Sequence, residues 1–143
     1  MSKTVLLQCS AAMVILIAGI WIGKATTADA AAKGRVFEIR TYTAGEGKLD
    51  ALHARFRDHT TKLFEKHGMT NIGYWKPLDA PLSENTLIYV MAYPSREAAK
   101  KSWDAFRTDP EWLKARDASE VNGKLTAKVD SIYMEATDYS PMK

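Results

Sequence analysis

Cysteine is nearly absent from this sequence, because its 143 residues contain only one, Cys9. Cys9 precedes the apolar part of the N-terminal segment, which is the wrong position for a lipoprotein cleavage site. If residues 1–32 are removed, no thiol remains, and a disulfide, a cysteine nucleophile and a thiolate metal site are all excluded. Stability must then come from the core that about 110 residues can bury and from oligomerisation.

Histidine is also scarce, and its spacing argues against a metal centre. In a helix with about 100° per residue, His53 and His59 lie on different sides, and His53 and His67 stand about 20 Å apart along the axis. The sequence has no HExxH-like pair, and no cysteine can supplement the histidines. We therefore expect no metal site, and no motif indicates a cofactor.

Signatures of nucleic-acid and nucleotide binding are missing too. Of the formal net charge of +3, residues 1–32 carry +1 through two lysines and one aspartate, and no basic run alternates with aromatic residues. The segment 45–48, Gly-Glu-Gly-Lys, lacks the spacing and the Ser or Thr of a phosphate-binding P-loop, so it is interpreted as a turn. No Ser-His-Asp or paired-carboxylate site can be argued from spacing. Nucleic acid is therefore not an expected partner.

Residues 1–32 have the composition of an export signal. A lysine near the start is followed by an uncharged run over residues 4–23, which includes VILIAGIWI, and then by the small residues TTADAAA. This order predicts a cleaved secretory signal peptide. The alternative is an uncleaved membrane anchor, because the uncharged run approaches the ~20 residues that span a bilayer. Either reading places residues 33–143 outside the cytoplasm, in the periplasm or secreted, and the absence of arginine before Arg35 disfavours a mitochondrial presequence.

The stretch from Val36 to Gly68 has the pattern of a strand followed by a long helix. Successive strand side chains point to opposite sides, so Glu38, Arg40 and Tyr42 share one face as an acid, a base and a phenol. Apolar residues then recur at steps of three and four and form one stripe for packing on a sheet: Leu49, Leu52, Phe56, Leu63 and Phe64. We expect the helix over residues 46–66, ending at a C-terminal glycine.

The remaining chain predicts three more strands and a broken helix. The strands are expected at residues 69–76, 86–93 and 127–137, and residues 77–85 are expected to form a loop with two prolines. Ser95 is the expected N-cap of a helix that breaks near Thr108. The helix is expected to resume at Asp109-Pro110, with Asp109 as a second N-cap and Pro110 in the first helical position. The order βαββαβ predicts an α+β fold with a four-stranded antiparallel sheet and both helices on one face.

The pattern also predicts a homodimer. Strand 86–93, TLIYVMAY, is apolar or aromatic on both faces, and helices can cover only one of them. The second face needs another cover, and the sheet of a second copy would supply it.

Four motifs together resemble the NIPSNAP family. They are VFEIRTYTAGEGKLDAL, FRDHTTKLFEKHG, IGYW and WDAFRTDPEW, and the match runs from about Val36 to Pro141. The resemblance implies a ferredoxin-like unit that dimerises into an α/β barrel, related to small monooxygenase-like and stress-response barrel proteins. It implies trafficking and recruitment roles more than established catalysis. Residues 76–85 and 118–128 carry none of these motifs, so no function is transferred to them.

His59 is the candidate catalytic residue. It lies one turn from Phe56 and Leu63, at the edge of the apolar stripe. Its side chain is expected to point toward the sheet, at the mouth of a pocket under the helix. An imidazole there can act as a general base or bind a substrate oxygen. The alternative is a half-buried histidine satisfied by one hydrogen bond.

Arg40 and Tyr42 are candidate ligand-binding residues. Arg40 can fork onto a ligand carboxylate while Tyr42 donates a hydrogen bond. The alternative is that Glu38 and Arg40 form an ion pair on the barrel-facing surface and set the register of the dimer.

Aromatic residues form the third candidate group, consisting of Tyr74, Trp75 and Trp103. Gly73 weakens its strand and often marks the close approach of another group. A ligand stacked on Trp75 and a packed aromatic cluster are both compatible with the pattern, and Trp103 and Trp112 are expected to pack in the core or at its rim.

Two functions remain open from the sequence. One is a small-molecule site for an apolar or aromatic ligand between the sheet and the first helix, lined by Phe37, Ile39, Phe56, His59, Leu63, Trp75 and Trp103. Such a pocket would suit a cofactor-independent, monooxygenase-like enzyme or a haem-dependent one. The other is an interaction domain without chemistry, whose helices carry the charges Arg96, Glu97, Lys100, Lys101, Asp104 and Arg107. A solvated face explains the same charges.

Overall fold

A computed structural model describes residues 34–143 of the chain. The predictions for residues 1–32 lie outside the described residues. Within residues 34–143, no helix has both the length and the apolar character needed to cross a membrane.

Four strands form a single antiparallel sheet. The strands are β1 (Val36–Ala44), β2 (Thr70–Trp75), β3 (Thr86–Tyr93) and β4 (Thr126–Glu135). Their order across the sheet is β2-β3-β1-β4, so β2 and β4 are the edges. The predicted βαββαβ order and the α+β, ferredoxin-like fold are confirmed.

The helices connect these strands. The first helical rod consists of α1 (Leu49–Arg55), a π-helical segment (Phe56–Thr60) and α2 (Thr61–Lys66). A short helix, α3 (Leu82–Asn85), lies within the stretch predicted to be a loop, and α4 (Arg96–Thr108) and α5 (Pro110–Ser119) form the second helical region. The rod begins at Leu49 instead of Glu46 because Gly47 has a φ of 65°, which holds residues 45–48 in a turn.

Local sequence signals account for most helix ends. Gly68 has a φ of 75°, the left-handed conformation in which glycine ends a helix. The Ser95 hydroxyl accepts a hydrogen bond from the Ala98 N–H at 3.1 Å, and the Asp109 carboxylate accepts one from the Glu111 N–H at 2.7 Å. Both predicted N-caps are therefore confirmed, as is the break of the second helical region near Thr108.

Both helical regions pack on the same face of the sheet, called here the helix face. Phe56 and Phe64 of the rod contact Tyr89 of β3, with ring centroids 5.2 and 5.9 Å apart, and the Trp103 indole of α4 reaches Glu38 of β1. Tyr89 and Met91 are completely buried there. The hydrophobic core thus lies between one sheet face and the layer formed by the two helical regions.

The opposite side of the sheet, called here the open face, is apolar and partly exposed. The strand register places six apolar side chains on this face: Ile39, Trp75, Ile88, Val90, Ile132 and Met134. Trp75 is 51% exposed and Ile132 62% exposed. The C-terminal residues Ser140 and Met142 approach only one end of this face, beside Phe37 and Met134.

Candidate functional site

Glu38 lies at the centre of a buried polar network on the helix face. Its side chain is fully buried and accepts four hydrogen bonds. Oε1 accepts from an Arg40 Nη at 2.8 Å and from Ser131 Oγ at 2.6 Å, and Oε2 accepts from Tyr93 Oη and Trp103 Nε1, each at 2.7 Å. The donors come from β1, β3, β4 and α4, so this one carboxylate joins three strands to a helix.

The network keeps Glu38 ionised despite its burial. Burial by itself raises the pKa of Glu38, but the hydrogen bonds from Ser131, Tyr93 and Trp103 and the charge of Arg40 outweigh it and hold the pKa below its ordinary value. Burial and the hydrogen bond to Glu38 raise the pKa of Tyr93, so its hydroxyl stays protonated as a donor. A buried carboxylate with four donors, one of them a guanidinium, is satisfied, which suits an anchor better than a proton-transfer group.

Trp103 is held in place by this anchor. Its indole N–H is bonded to Glu38, and two guanidiniums approach its ring, with the Cζ atoms of Arg40 and Arg107 at 4.2 and 5.6 Å from the ring centroid. Cation–π attraction between arginine and tryptophan favours both contacts. The Trp103 side chain is thus fixed both at its polar edge and at its ring.

A basic cleft opens beside Trp103, between α4 and the edge strand β4. It has a volume of about 390 Å³ and is lined by Arg96, Glu97, Lys100, Trp103, Arg107 and Tyr133. Positions 96, 100, 103 and 107 follow one face of α4, because steps of four, three and four residues return to the same side of a helix. Tyr133 of β4 forms the opposite wall, and the Cζ atom of Arg96 lies 3.2 Å from its ring centroid.

Exposed ion pairs modulate the charge of the basic cleft. Asp104 pairs with Lys100 at 2.7 Å and with Arg107 at 3.3 Å, and all three side chains are at least half exposed. Exposed pairs of this kind are weak, so they leave the cations available to a competing anion. The cleft therefore combines an aromatic wall with three cations.

Glu38, Arg40 and Tyr42 do not lie on a barrel-facing surface, so the interpretation of a Glu38–Arg40 ion pair on that surface is wrong. Their face of β1 is the helix face, where Tyr42 contacts Phe56 and Tyr89 with ring centroids 5.7 and 5.3 Å away. The predicted ion pair between Arg40 and Glu38 exists but lies under α4. Alternation along the strand correctly grouped these residues, but it cannot say which face the helices cover.

The predicted orientation of His59 is also wrong, because this side chain is exposed on the outer side of the rod. The π-helical segment explains the difference: the Thr61 N–H bonds to the Phe56 carbonyl, five residues back. This wider turn moves His59 away from the apolar stripe and brings Thr60 under it. His59 instead borders a surface cleft with charged neighbours that include Lys62, Lys66 and Glu111.

Tyr74 and Trp75 point to opposite sides of the sheet. Tyr74 lies on the helix face, stacked on Tyr89 with centroids 5.4 Å apart, and its hydroxyl donates to Asn71 Oδ1 at 2.5 Å. Trp75 lies on the open face, where its ring covers Gly73. A Cβ atom at position 73 would be 2.6 Å from that ring, so Gly73 does mark a close approach.

The pocket predicted between the sheet and the rod does not have the lining that we expected. Phe37, Ile39 and Trp75 are on the open face, whereas Phe56 and Trp103 are on the helix face. The rings of Phe56, Phe64, Tyr74 and Tyr89 fill the layer under the rod, with centroid distances between 5.2 and 6.2 Å. The site predicted for a monooxygenase-like enzyme is therefore occupied by side chains.

Of the predicted site residues, the structure brings only Arg40 and Trp103 to the Glu38 network. Sequence reasoning noted Arg96, Lys100 and Arg107 only as helix charges, and it missed Tyr133. The helical spacing of the three cations with Trp103 was the available signal.

Among residues 34–143, no group of three or more His, Cys, Asp or Glu side chains is arranged to hold a metal ion.

Comparisons with known proteins agree with this fold. One solved structure, a NIPSNAP family protein of unknown function from Agrobacterium tumefaciens, has 21% identity and a TM-score of 0.67 over 78% of this chain and 96% of its own. A NIPSNAP-like domain protein from Burkholderia xenovorans has 16% identity and a TM-score of 0.65 over 76% of this chain and 90% of its own. No curated protein sequence matches the chain. The NIPSNAP family model matches residues 37–141, and the chain therefore belongs to the NIPSNAP family.

Proposed function

We propose that this NIPSNAP-family chain is an exported homodimer that binds a small molecule, with the basic cleft as its ligand site. The observation that carries the proposal is the fixed aromatic wall of the cleft. The buried Glu38 carboxylate holds Trp103 at 2.7 Å, so the ring needs little ordering when a ligand arrives. Preorganised side chains favour binding because less conformational entropy is lost in the complex.

The size and chemistry of the basic cleft support a ligand over a catalytic role. A volume of about 390 Å³ is in the range of small-molecule sites. Its walls offer aromatic surface and cationic donors, while the Glu38 carboxylate is already satisfied by four donors. The described side chains around the cleft therefore suit recognition of a ligand.

The open face supports the homodimer. Ile39, Val90 and Ile132 form one row across three strands, with Trp75 and Met134 close by. Contiguous exposed apolar surface of this kind marks interaction sites. A second copy placed sheet to sheet would bury the same surface twice, as a two-fold interface requires.

Native mass spectrometry of the protein purified from its exported fraction tests the proposal directly. We expect a dimer of chains that begin near residue 31 or 33, carrying additional mass from a retained ligand. A full-length chain held in detergent would contradict cleavage and indicate an anchor. A dimer that carries no added mass, and gains none when offered a library of small molecules, would contradict ligand binding and favour a protein-interaction role.

The substitution Ile132→Lys tests the interface. It places a charge on the most exposed residue of the apolar row formed by Ile39, Val90 and Ile132, so we expect the dimer to dissociate into monomers in size-exclusion chromatography with light scattering. Val121→Lys is the matched control, because Val121 is 76% exposed and lies outside the sheet. A dimer that tolerates Ile132→Lys as well as Val121→Lys would show that another surface joins the copies.

A further inference from the structure

We infer that the ligand of the basic cleft is a small organic anion, whose carboxylate or phosphate group binds at Arg96 and Lys100 and whose apolar body lies beside Tyr133 and the exposed edge of Trp103. This inference rests on the proposed function and specifies its ligand class. The sequence suggested a ligand carboxylate at Arg40, whereas the structure gathers three cations of α4, Arg96, Lys100 and Arg107, around one cleft.

Charge sets the class of ligand. Arg96, Lys100 and Arg107 line the cleft, with Glu97 as the one carboxylate in the same lining. Asp104 contacts Lys100 and Arg107 from outside that lining, in pairs exposed to solvent. Even with both carboxylates counted, the group keeps a net charge of +1, which attracts an anion and disfavours a cation.

The position of the acidic group follows from the geometry of Arg96. The Cζ atom of its guanidinium lies 3.2 Å from the centroid of the Tyr133 ring. A guanidinium carries five N–H donors, so its contact with one tyrosine leaves donors for a carboxylate or a phosphate. Lys100 is one turn further along α4, and Arg96 is the first residue of that helix, where the helix dipole adds positive potential. The anionic group is therefore expected at this end of the cleft.

The apolar body follows from the middle of the cleft. Trp103 lies one turn beyond Lys100 on the same face of α4, and its orientation is held by Glu38. Because the Trp103 side chain is only 5% exposed, a hydrocarbon or aromatic group attached to the acid would contact the exposed edge of this indole and lie mainly along Tyr133 on the opposite wall. Arg107 lies beyond Trp103 and bounds the site at the other end.

Three matched probes test the inference: phenylacetate, phenyl phosphate and the neutral phenylacetamide. We titrate each into ¹⁵N-labelled protein and follow the Trp103 indole N–H, which the Glu38 carboxylate distinguishes from the other indoles. We expect the two anions to shift this resonance and to bind at least about tenfold more tightly than the amide, which corresponds to about 1.4 kcal/mol. Their affinity should fall as salt rises, because part of the attraction is between exposed charges.

Adjacent lysines supply the decisive variant pair. Lys100→Gln should weaken binding of both anions about fivefold or more, whereas Lys101→Gln, on a neighbouring exposed residue outside the cleft lining, should change it little. Arg96→Gln should act as Lys100→Gln does. Neither residue is buried, so the fold should survive these changes.

Distinct results would overturn different conclusions. If phenylacetamide binds as tightly as phenylacetate and shifts the Trp103 resonance, the ligand is not an anion, although ligand binding at the cleft stands. If Lys100→Gln and Lys101→Gln weaken binding equally, the effect is general charge attraction and the assigned anion site is wrong. If no probe shifts the Trp103 resonance up to about 10 mM and the purified protein carries no ligand, both the inference and the proposed ligand binding are overturned.

Discussion

Glu38 shows how one side chain can organise both the core and the candidate site. A buried carboxylate is costly unless every lone pair is satisfied, and here Ser131, Tyr93, Trp103 and Arg40 satisfy it together. The same contacts hold Trp103 beside the basic cleft. We therefore attribute to Glu38 a positioning role at the cleft and a structural role in the core.

Replacement of Glu38 should destabilise the folded protein. Glu38→Gln removes the charge opposite Arg40 and turns one acceptor into a donor that faces donors, so we expect the free energy of unfolding to fall by about 3 kcal/mol. Urea denaturation monitored by circular dichroism measures the change. Glu135→Gln, on an exposed position of β4, is the control and should cost less than about 0.5 kcal/mol. Equal losses in the two variants would contradict the importance of the buried network.

The joint between α4 and α5 depends on a capping aspartate that also binds the rod. Asp109 Oδ1 accepts from the Glu111 N–H, while Oδ2 lies 2.9 Å from Lys66 Nζ and 2.6 Å from His67 Nε2. The hydrogen bonds from Lys66 and His67 hold the pKa of Asp109 well below its ordinary value. The ionised form is therefore favoured by folding.

This lowered pKa predicts a loss of stability in acid. A carboxylate whose pKa is lower in the folded state stabilises the protein above its unfolded pKa of about 4, and the contribution disappears as pH falls further. Asp109→Asn keeps a good capping side chain but removes the charge. We expect this variant to be less stable than the parent at pH 7, with the difference shrinking between about pH 5 and pH 2 in urea denaturation. The exposed Asp58→Asn serves as control, and a difference that stays constant with pH would refute the role of the Asp109 charge.

The π-helical segment is the element that sequence patterns represent least well. Thr60 is buried, and its hydroxyl donates to the Arg55 carbonyl at 3.2 Å, within the widened turn. Arg55 in turn pairs with Glu120 at 2.8 Å and lies over the Trp112 ring at 5.2 Å, which ties the rod to α5. A regular period of 3.6 residues cannot represent the extra residue, so it misplaces His59.

In the folded chain, helices cover one sheet face and leave the other apolar and exposed. If the open face joins two copies, folding and association are linked, and the thermal midpoint should rise with protein concentration. We expect a rise over a hundredfold concentration range for the parent protein and for Val121→Lys, and a constant midpoint for Ile132→Lys. Differential scanning fluorimetry at several concentrations measures this. A midpoint independent of concentration in the parent protein would contradict the sheet-to-sheet dimer.

Sequence patterns alone determined most of the architecture. Alternation and helical periodicity placed all four strands and both helical regions, and Ser95, Asp109 and Gly68 marked helix ends correctly. These signals are local, because a cap, a left-handed glycine or an apolar stripe acts within a few residues of itself. The βαββαβ order of these elements is compatible with few topologies, and the ferredoxin-like sheet is one of them.

Tertiary structure alone decided which side chains meet. Strand alternation put Glu38, Arg40 and Tyr42 on one face, but the choice of the face that the helices cover was made by packing across the whole sheet. Glu38, Tyr93, Trp103 and Ser131 come from four separate elements, and Arg96 reaches Tyr133 across 37 positions of sequence. No local pattern encodes these side-chain contacts, because each depends on the register and the docking of elements that are distant along the chain.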